Sequence, residues 1–508
     1  MNKTGVFQRG TPWKALSDDQ VKILDNAGYE ILREVGVNFA DDELLRMAAK
    51  MGGTVDYEKK IVKDMPEYVL REQVAKAPRN FVCAGRDPEW DMIFEGGGRK
   101  QFWAPESGAT DHLQWDPAKR TYSRRRANAN DCAHATRIID GINDFDSNCY
   151  VYDLGEEGQL GLPSELIKLN AILRNTTKFG ANYCTTVSDI REHDYSQKLA
   201  EAISGGPEEF RKRPLFWAVY NPLGTLQMNK FNSWSLRKSF EHHWPIMTGV
   251  AAAAPLVGPA TAAANAAITH AGLLWITAMK GMYDPGTAVI NNNMVFCLDP
   301  FTGKGTLTSS HFMLGTVAMN QVWHGLYGLP TCQYTGVGTA SLDQEAFGLG
   351  MLMMMQMLYG TDMIMIQHSQ EALDPTTLVI AAEIAHYGKH IMSTFDQIVP
   401  TKENLALELA KEVGATGEGW MTSEFNMARI DLFYKSLSLD QTPPDTWVKQ
   451  GAPSWCHDIC REKLKEYEKH EPVPMPKDIA EKMDAILKEG TELLKRQDGG
   501  PRGSNIPI

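Results

Sequence analysis

Eight short apolar runs, each followed by a segment with helical periodicity, restrict the fold of this chain more than any other feature. The runs occupy residues 101–106, 148–155, 180–187, 215–221, 245–251, 287–294, 331–336 and 362–369. The helical segments cover roughly residues 125–140, 163–174, 190–204, 225–241, 258–281, 309–327, 343–359 and 376–392. Such alternation is typical of a parallel β-sheet. Eight units in about 290 residues predict an α/β fold, the (β/α)8 TIM barrel, which has about 250 residues and tolerates insertions.

A doubly wound sheet is the alternative fold, and it usually has a glycine-rich phosphate turn after an early strand. No such turn follows the first two runs. "FTGKGTLTS" (301–309) contains an isolated Gly-Lys-Gly without the spacing of a phosphate-binding loop. The glycines of "TCQYTGVGTASLDQEAFGLG" (331–350) do not match that spacing either. The barrel is therefore the predicted fold.

The segments on either side of the alternating region predict two further parts. Residues 18–50 have the periodicity of two amphipathic helices, the first capped by Ser17 or Asp18, and residues 80–98 suggest a hairpin. The last hundred residues are polar and helical in pattern. We predict an α-rich N-terminal cap with a hairpin at 1–100, the barrel at 101–395 and a helical C-terminal extension at 396–508.

Charge and hydropathy exclude several classes of function. The chain has 51 basic and 63 acidic residues, a net charge of −12, which disfavours binding to nucleic acids or anionic membranes. The basic cluster "SRRR" (123–126) is interpreted as the solvated start of a helix. The apolar tract at 245–279 is interrupted by Pro255, Pro259 and His270, and the N-terminus lacks an apolar signal stretch. We expect a cytoplasmic protein.

The eight cysteines are scattered along the chain, which favours reduced cysteines used for packing. Cys456 and Cys460 flank His457, but no second pair lies nearby to complete a structural zinc site. We therefore expect no directly bound metal.

Candidate functional residues occupy the predicted strand ends, because active sites of (β/α)8 barrels lie at the carboxyl ends of the strands. These ends contain Trp103, Glu106, Tyr152, Asp153, Thr185, Thr186, Tyr220, Asn221, Gly249, Asn291, Asn292, Asn293, Tyr334, Gln367 and His368. Aromatic and amide side chains are frequent in this set and ionisable groups are few. Although any one aromatic residue is more often part of a core, the set favours a quaternary ammonium ligand, which ring faces attract by roughly 0.5–2 kcal/mol each.

Other chemistries lack their signatures in this sequence. There is no G-x-S-x-G nucleophile elbow and no H-E-x-x-H zinc motif. A zinc-dependent methyltransferase would need a His and Cys ligand set at the strand ends, and Cys184, Cys297 and Cys332 supply no such pattern. A barrel that binds an onium compound without turnover remains an alternative to an enzyme.

Five stretches in a specific order resemble those of the trimethylamine methyltransferase family. They are "FVCAGRDP" (81–88), "RKRPLFWAVYNPLGTLQM" (211–228), "GPATAAANAAITHAG" (258–272), "DPGTAVI" (284–290) and "GLYGLPT" (325–331). The resemblance extends over about residues 20–470. It implies a barrel-shaped methyltransferase that depends on a corrinoid.

The same resemblance indicates the branch of the family. Founding members carry pyrrolysine on the loop after the G-L-P strand and demethylate trimethylamine, whereas members without it demethylate quaternary amines such as glycine betaine. Here that loop contains Gly336-Val337-Gly338, so the chain resembles the branch without pyrrolysine. When a cob(I)alamin nucleophile takes a methyl group from a quaternary nitrogen, the rest of the substrate leaves as a neutral amine. The protein therefore has to orient the substrate and provide a suitable electrostatic environment, and it needs no base.

The residues predicted to bind the substrate combine the aromatic set with donors for a carboxylate tail. They are Trp103, Tyr152, Tyr220, Asn221, Asn291, Asn293, Gln333, Tyr334, Gln367 and His368. No catalytic residue is assigned. Two departures from relatives, "GTASLDQEAFG" after the seventh strand and "HAG" at 270–272, leave carnitine, proline betaine or choline-like substrates open beside glycine betaine.

The chain lacks the D-x-H-x-x-G signature of a cobalamin-binding protein. The resemblance therefore implies that the cobalamin is carried by a separate corrinoid protein, which would be the macromolecular partner of this enzyme. We also expect a homo-oligomer.

Overall fold

The computed structural model describes residues 3–180, 182–184, 187, 189–220, 226–250, 252–305, 307–336, 341–368, 371–416 and 419–495. The protein has a mixed α/β fold built around seven parallel strands. In chain order these are β1 (Lys100–Glu106), β2 (Asn182–Cys184), β3 (Trp217–Tyr220), β4 (Ile246–Thr248), β5 (Val289–Asn292), β6 (Thr331–Thr335) and β7 (Met363–Gln367). Their spatial order is β1-β7-β6-β5-β4-β3-β2. Strand Val6–Phe7 pairs antiparallel with the free side of β1.

Eight helices follow the strands along the chain, as the periodicity predicts. They are α1 (Ala129–Gly141), α2 (Ser164–Arg174), α3 (Glu192–Ser204), α4 (Lys230–Glu241), α5 (Ala262–Tyr283), α6 (Ser310–Asn320), α7 (Leu342–Tyr359) and α8 (Thr376–Ser393). Side chains of Asn128, Asn229, Thr261 and Ser309 cap α1, α4, α5 and α6. These caps satisfy backbone N–H groups that a helix leaves unpaired at its start.

The predicted strand at 148–155 forms no continuous strand. Instead, scattered hydrogen bonds join this part of the chain to β1 and residues 107–109 on one side and to Phe179 on the other. The Asp146 N–H donates to the Trp103 carbonyl (2.7 Å), and the Asn148 N–H donates to the Phe179 carbonyl (2.9 Å). Tyr152 makes an isolated parallel bridge to Ala109. Because the pairing partner changes within a few residues, no ladder can form.

The two faces of the parallel sheet have different surroundings, because side chains alternate along a strand. The inner face bears apolar residues that share one core cluster, among them Phe102, Ala104, Val219, Met247, Ile290, Cys332, Tyr334 and Met365. The helix face packs against the surrounding helices and bears residues such as Trp103, Tyr220, Ile246 and Ile364. One strand therefore contributes to two separate environments.

The N-terminal part contains helices and two small sheets. Its helices are Asp18–Glu34, Asp42–Lys50 and Glu67–Val74, the first closed by a capping box of Ser17 and Gln20. Strands Val37–Phe39, Thr54–Asp56, Ile61–Lys63 and Gln227–Met228 form one sheet, and Phe81–Cys83 pairs with Met92–Phe94 as the predicted hairpin. Phe94 contacts Phe102 with ring centroids 4.7 Å apart, so the hairpin packs against the inner face at β1.

Residues 123–126 are not the start of a helix. They lie in strand Thr121–Arg126, which pairs with Asp111–Asp116. Arg126 forms an ion pair with Asp111 (2.8 Å), and Arg125 forms one with Asp131 (2.6 Å). Alternation places successive arginines on opposite faces of a strand, and acidic partners across the hairpin and on α1 compensate their charge.

The C-terminal part consists of short helices and one long one. The helices are Lys402–Leu405, Leu407–Val413, Glu424–Met427, Pro444–Lys449, Cys460–Tyr467 and Lys477–Leu494. The last packs on α2 and α3 and buries Met483 and Leu494, as its periodicity predicts. Among the described residues one helix, α5, is apolar and long enough to cross a membrane. Of the most apolar 18-residue stretch of this helix, 78% is buried inside the protein, which accounts for the apolar composition of α5.

Candidate active site

The carboxyl ends of β1, β5, β6 and β7 meet at one edge of the sheet. In the register, Gln367 is opposite Glu106, and Tyr334 is opposite Met365, which is in turn opposite Ala104. Asn292, the last residue of β5, is opposite Cys332 of β6. We call this edge, on the inner face, the carboxyl edge. It is where parallel α/β sheets commonly bind their ligands.

Glu106 is a buried carboxyl at the carboxyl edge. It lies two residues beyond Ala104, so alternation directs it to the inner face, and it is only 3% exposed. Burial raises the pKa of the Cys149 thiol, and the nearby Glu106 carboxyl raises it further. Burial likewise raises the pKa of Cys332, with a contribution from Glu106. Burial disfavours a charge of either sign here, and the contribution of Glu106 makes an anion less favourable than a cation near this edge.

Tyr334 supplies an aromatic ring on the same face. It is buried in the inner cluster, and its hydroxyl lies 3.5 Å from the Met247 sulfur of β4. The ring thus extends from β6 across β5 toward β4. Its position at the penultimate residue of β6 places an aromatic surface just inside the carboxyl edge.

Asn292 provides hydrogen-bond donors at the edge. Its Oδ1 accepts from the Met294 N–H (3.2 Å), while its buried Nδ2 has no hydrogen-bond partner within the described residues. It is two residues beyond Ile290 of the inner cluster, so it is on the inner face. A buried donor without a partner costs about 1–3 kcal/mol, which a bound acceptor would recover.

His368 and Glu345 form a buried pair beside Glu106. His368 Nδ1 is 2.8 Å from Glu345 Oε1 in the first turn of α7, and both side chains are almost fully buried. The His368 backbone N–H donates to the Glu106 carbonyl (2.8 Å). His368 Nε2 has no hydrogen-bond partner in the part of the chain that the structure describes.

Three of the predicted aromatic residues lie outside the inner cluster. Trp103 packs between α7 and α8, so closely that a Cβ at Gly388 would lie 2.6 Å from its ring. Tyr152 packs in the same cluster and pairs with His112 Nδ1 (2.7 Å). Tyr220 belongs to the large core cluster that joins the sheet to helices such as α4 and α5. Contacts with helices hold these rings, and their predicted role in substrate binding has no support from their position.

Three of the predicted amides are likewise held away from the inner face. Asn291 Oδ1 accepts from the Thr277 hydroxyl of α5 (3.4 Å), and Asn293 Nδ2 donates to Asn320 Oδ1 of α6 (3.1 Å). The Gln333 side chain donates to the Tyr334 carbonyl (2.8 Å) and is fully buried.

Several predicted positions lie outside the described part of the chain. They are Asn221, Thr185, Thr186, the side chain of Gln367 and residues 337–340, where relatives carry their distinguishing loop. The other departure, at residue 270, lies within the described part of the chain. His270 of α5 pairs with Asp25 of helix Asp18–Glu34 (2.9 Å), so it joins that helix to α5.

Glu106, Asn292 and Glu345 are the residues that the predicted site omits. Glu106 and Asn292 stood in the inventory of strand ends, and alternation with Ala104 and Ile290 is the signal that would have selected them. Glu345 is in a helix, and no local pattern pairs it with a histidine 23 residues away.

No group of three or more His, Cys, Asp or Glu side chains suited to a metal occurs among the described residues. Cys456 and Cys460 pack with Leu342, Val379 and Ile380. Burial raises the pKa of each of these thiols to about 12, so both stay protonated at neutral pH. Their environment is that of packing residues.

A buried carboxyl, a ring and an amide thus lie on one face of this α/β protein, near the carboxyl edge of its parallel strands. The sequence profile of the trimethylamine methyltransferase (MTTB) family matches residues 2–492, and the chain belongs to this family. Because its loop carries only standard residues, it falls in the branch without pyrrolysine, as its sequence predicts.

Individual relatives are distant but extend over most of the chain. The trimethylamine methyltransferase of Desulfitobacterium hafniense is 24% identical over 507 residues, covering 96% of both chains. The glycine betaine methyltransferase of the same species is 21% identical over 446 residues, covering 86% of this chain and 89% of its own. The monomethylamine methyltransferase of Methanosarcina barkeri, a solved structure, aligns with a TM-score of 0.49 and 9% identity over 95% of this chain and 89% of its own.

Proposed function

We propose that this protein is a methyltransferase that moves a methyl group from a quaternary amine to the cob(I)alamin of a separate corrinoid protein. Membership of the family supports methyl transfer from an amine. The observation that carries the quaternary amine is the pairing of a buried carboxyl, Glu106, with an aromatic ring, Tyr334, on the inner face. A permanent cation without N–H donors suits a ring face and a negative field.

The proposal includes a closed barrel and the three-part division of the chain. We infer that residues 146–152 replace the missing strand of a (β/α)8 barrel, because their hydrogen bonds reach both Trp103 of β1 and Phe179 just before β2. The inner face would then be the interior of the barrel, and the carboxyl edge its mouth. We retain a cap at 1–100, the barrel at 101–395 and an extension at 396–508. We also retain a cytoplasmic location and a homo-oligomer.

The hydrogen-bond donors at the carboxyl edge favour a substrate whose tail accepts hydrogen bonds. Asn292 Nδ2 is buried without a partner among the described residues, so a carboxylate would satisfy it. A glycine betaine-like amine combines such a tail with the quaternary nitrogen. We assign Glu106 and Tyr334 to the ammonium group, Asn292 to the tail, and Gln367 and His368 to the rim. Trp103, Tyr152, Tyr220, Asn291 and Asn293 are left out because their contacts lie away from the inner face, and Gln333 because alternation with Cys332 and Tyr334 directs it to the helix face. Asn221 keeps its predicted role.

The proposed reaction needs little acid–base catalysis from this chain. A bound cob(I)alamin supplies the nucleophile that accepts the methyl group, and the amine departs neutral with its electron pair. The residues of this chain hold the ammonium in place and remove it from water, while Glu106 stabilises its charge. Because the corrinoid belongs to the partner, this chain has only to admit it to the carboxyl edge.

The test is a spectroscopic screen for methylcobalamin. Purified protein, cob(I)alamin and a reductant are mixed with glycine betaine, carnitine, proline betaine, choline or trimethylamine. We expect methylcobalamin to accumulate with at least one quaternary amine and not with trimethylamine. Tight binding of an amine without any methylcobalamin would show the alternative, an onium-binding protein without turnover. Methylation from trimethylamine alone would contradict the quaternary substrate.

A further inference from the structure

A cavity of about 520 Å³ lies at the amino ends of β2 and β3, at the end of the sheet opposite the carboxyl edge. Its walls are the turn 85–88 that follows strand Phe81–Cys83, residues at and beyond the end of α3, and segment 473–479 of the C-terminal part. Thr177 and Leu215, which precede β2 and β3, also line it. We call it the amino-edge cavity. Small-molecule sites commonly have volumes of about 300–1,000 Å³ and lie where separate parts of a chain meet.

The turn 85–88 places one side chain, Arg86, in the wall of this cavity. It belongs to the "FVCAGRDP" stretch, which the proposed function does not use. The Asp87 N–H donates to the Thr177 carbonyl (3.2 Å), which ties the turn to the chain before β2. A Cβ at Gly85 would lie 2.7 Å from the same carbonyl oxygen, so a larger residue there would push the turn away. The backbone of Arg86 is therefore held close to the amino ends of the strands.

Arg86 carries a charge that no carboxylate of the described residues neutralises through an ion pair. Its Nε donates to the Thr176 carbonyl (2.6 Å), its Nη2 donates to the Val473 carbonyl (2.7 Å), and its Nη1 lies 3.9 Å from the Met475 sulfur. These neutral acceptors orient the guanidinium but leave its charge in place. Burial lowers the pKa of Arg86, and Asp140 offsets that effect only in part. An anion in the cavity would stabilise a cation that is partly removed from water in this way.

The other charged side chains of the lining already have partners. Arg213 pairs with both carboxylate oxygens of Asp91 (2.7 and 3.0 Å), and Glu209 pairs with a lysine of its own helix (2.8 Å). Asp87 accepts the backbone N–H of the residue two places further on (2.9 Å). The apolar part of the lining includes Ile203, Leu215, Val473, Pro474, Met475 and Ile479. The amino-edge cavity thus combines one cation that lacks a carboxylate partner with apolar walls.

We propose that the amino-edge cavity binds a small organic anion, a carboxylate or phosphate ester with an apolar body, and that Arg86 holds its charged group. A guanidinium matches both kinds of anion with two parallel hydrogen bonds, and the apolar walls remove the body of the ligand from water. Val473 and Met475 contact Arg86 and also line the cavity, so the bound anion would join the C-terminal part to the turn 85–88. The seven residues of β1 span about 20 Å, so this ligand would not contact a substrate at the carboxyl edge.

Isothermal titration calorimetry of the full chain tests this site with phenylacetate, phenyl phosphate, inorganic phosphate and the neutral phenylacetamide. We expect at least one aryl anion to bind the wild type at least about tenfold more tightly than phenylacetamide, and Arg86→Gln to lose that preference. Arg137→Gln is the matched control, because Arg137 is also partly exposed, donates to a neutral oxygen (Asn175 Oδ1, 3.1 Å) and does not line the cavity. This control should keep the preference of the wild type.

A second variant, Ser204→Phe, leaves Arg86 in place and fills part of the cavity, because Ser204 is in the lining. We expect the aryl anion to bind this variant at least about tenfold more weakly, since the new ring occupies the space of the ligand body. The far-ultraviolet circular dichroism of each variant shows whether its fold is intact.

Four outcomes would overturn the proposal. They are equal affinities for the aryl anion and phenylacetamide in the wild type, a preference retained in Arg86→Gln, unchanged binding in Ser204→Phe, and no binding of either aryl anion with a Kd below about 10 mM. Inorganic phosphate that binds as tightly as phenyl phosphate would contradict the apolar part of the site. Because these titrations contain no methyl donor and no corrinoid, their result is independent of the proposed function.

Discussion

Two neighbouring residues of β5, Asn291 and Asn292, face opposite sides of the sheet. Asn291 is on the helix face and its Oδ1 accepts from Thr277 of α5, while Asn292 is on the inner face and its Oδ1 accepts from the Met294 N–H. Each has a buried Nδ2 without a partner among the described residues, so the two differ in the face they occupy. The same contrast holds between Trp103 and Ala104 of β1. In this protein the helix face fixes the strands to the helices, and the inner face carries the residues of the proposed site.

The contrast also shows that the position of a residue along a strand and the face to which its side chain points are independent of each other. A residue can stand near the carboxyl end of a strand and still face away from the substrate. Substitutions on the helix face should therefore change stability, whereas those on the inner face should change activity. One single variant and two pairs of variants test that division.

Trp103→Ala should have the largest effect, and on stability alone. Removing a buried indole between α7 and α8 leaves a cavity, so we expect the free energy of unfolding to fall by about 3–5 kcal/mol. Denaturant unfolding monitored by circular dichroism measures it. The kcat/KM of the folded fraction should change less than about threefold. A large loss of kcat/KM at unchanged stability would show instead that this ring contacts the substrate, as its strand-end position predicts.

Glu106→Gln should abolish most of the activity while preserving the fold. Loss of the negative charge beside the ammonium should lower kcat/KM about 100-fold, equivalent to about 2.7 kcal/mol of transition-state stabilisation. Steady-state methylation of free cob(I)alamin measures this loss.

The control is Asp362→Asn, a buried carboxylate at the opposite edge of the sheet. Asp362 accepts hydrogen bonds from the Thr331 N–H (2.8 Å) and hydroxyl (3.0 Å), and it lies 3.0 Å from His324 Nδ1. Loss of this carboxylate should lower the free energy of unfolding and leave kcat/KM within about threefold of the wild-type value. Equal losses of activity in both variants would show that Glu106 matters no more for activity than a structural carboxylate does.

Asn292→Asp should have a smaller effect that depends on the substrate. A carboxylate there would repel a carboxylate tail, so we expect the KM for a betaine to rise about tenfold. Asn291→Asp, one residue away on the helix face, should reduce stability and leave this KM unchanged. The reverse pattern, with the betaine KM sensitive to residue 291, would mean that the two faces are wrongly assigned.

The sequence predicted the elements of the fold better than the members of the site. Seven strands and eight helices lie where the apolar runs and helical periods indicate, because both patterns are local properties of the chain. The strand predicted at 148–155 is irregular in the structure, since composition does not show that residues 146–152 bond to two neighbours in turn. The hairpin at 111–126 was missed because its outer strand is mostly charged and gives no apolar signal.

For the site, the strand ends were located but the direction of their side chains was not used. Tyr334 is on the inner face, whereas Trp103 and Tyr220 are not, although all three occupy comparable places in apolar runs. Long-range partners such as Glu345 for His368 depend on tertiary packing, which no spacing in one sequence reveals. Alternation along each strand would have recovered Glu106 and Asn292.

The most direct test of the account is a comparison of a quaternary ammonium with its neutral carbon isostere. Isothermal titration calorimetry would measure the Kd of glycine betaine against 3,3-dimethylbutyrate, and of choline against 3,3-dimethylbutanol, for wild type and Glu106→Gln. We expect the cation of a pair to bind wild type at least about tenfold more tightly, and that ratio to fall in Glu106→Gln, where only the Tyr334 ring still attracts the cation. Equal affinity for cation and isostere in the wild type, or an unchanged ratio in Glu106→Gln, would contradict a cation site built on the inner face.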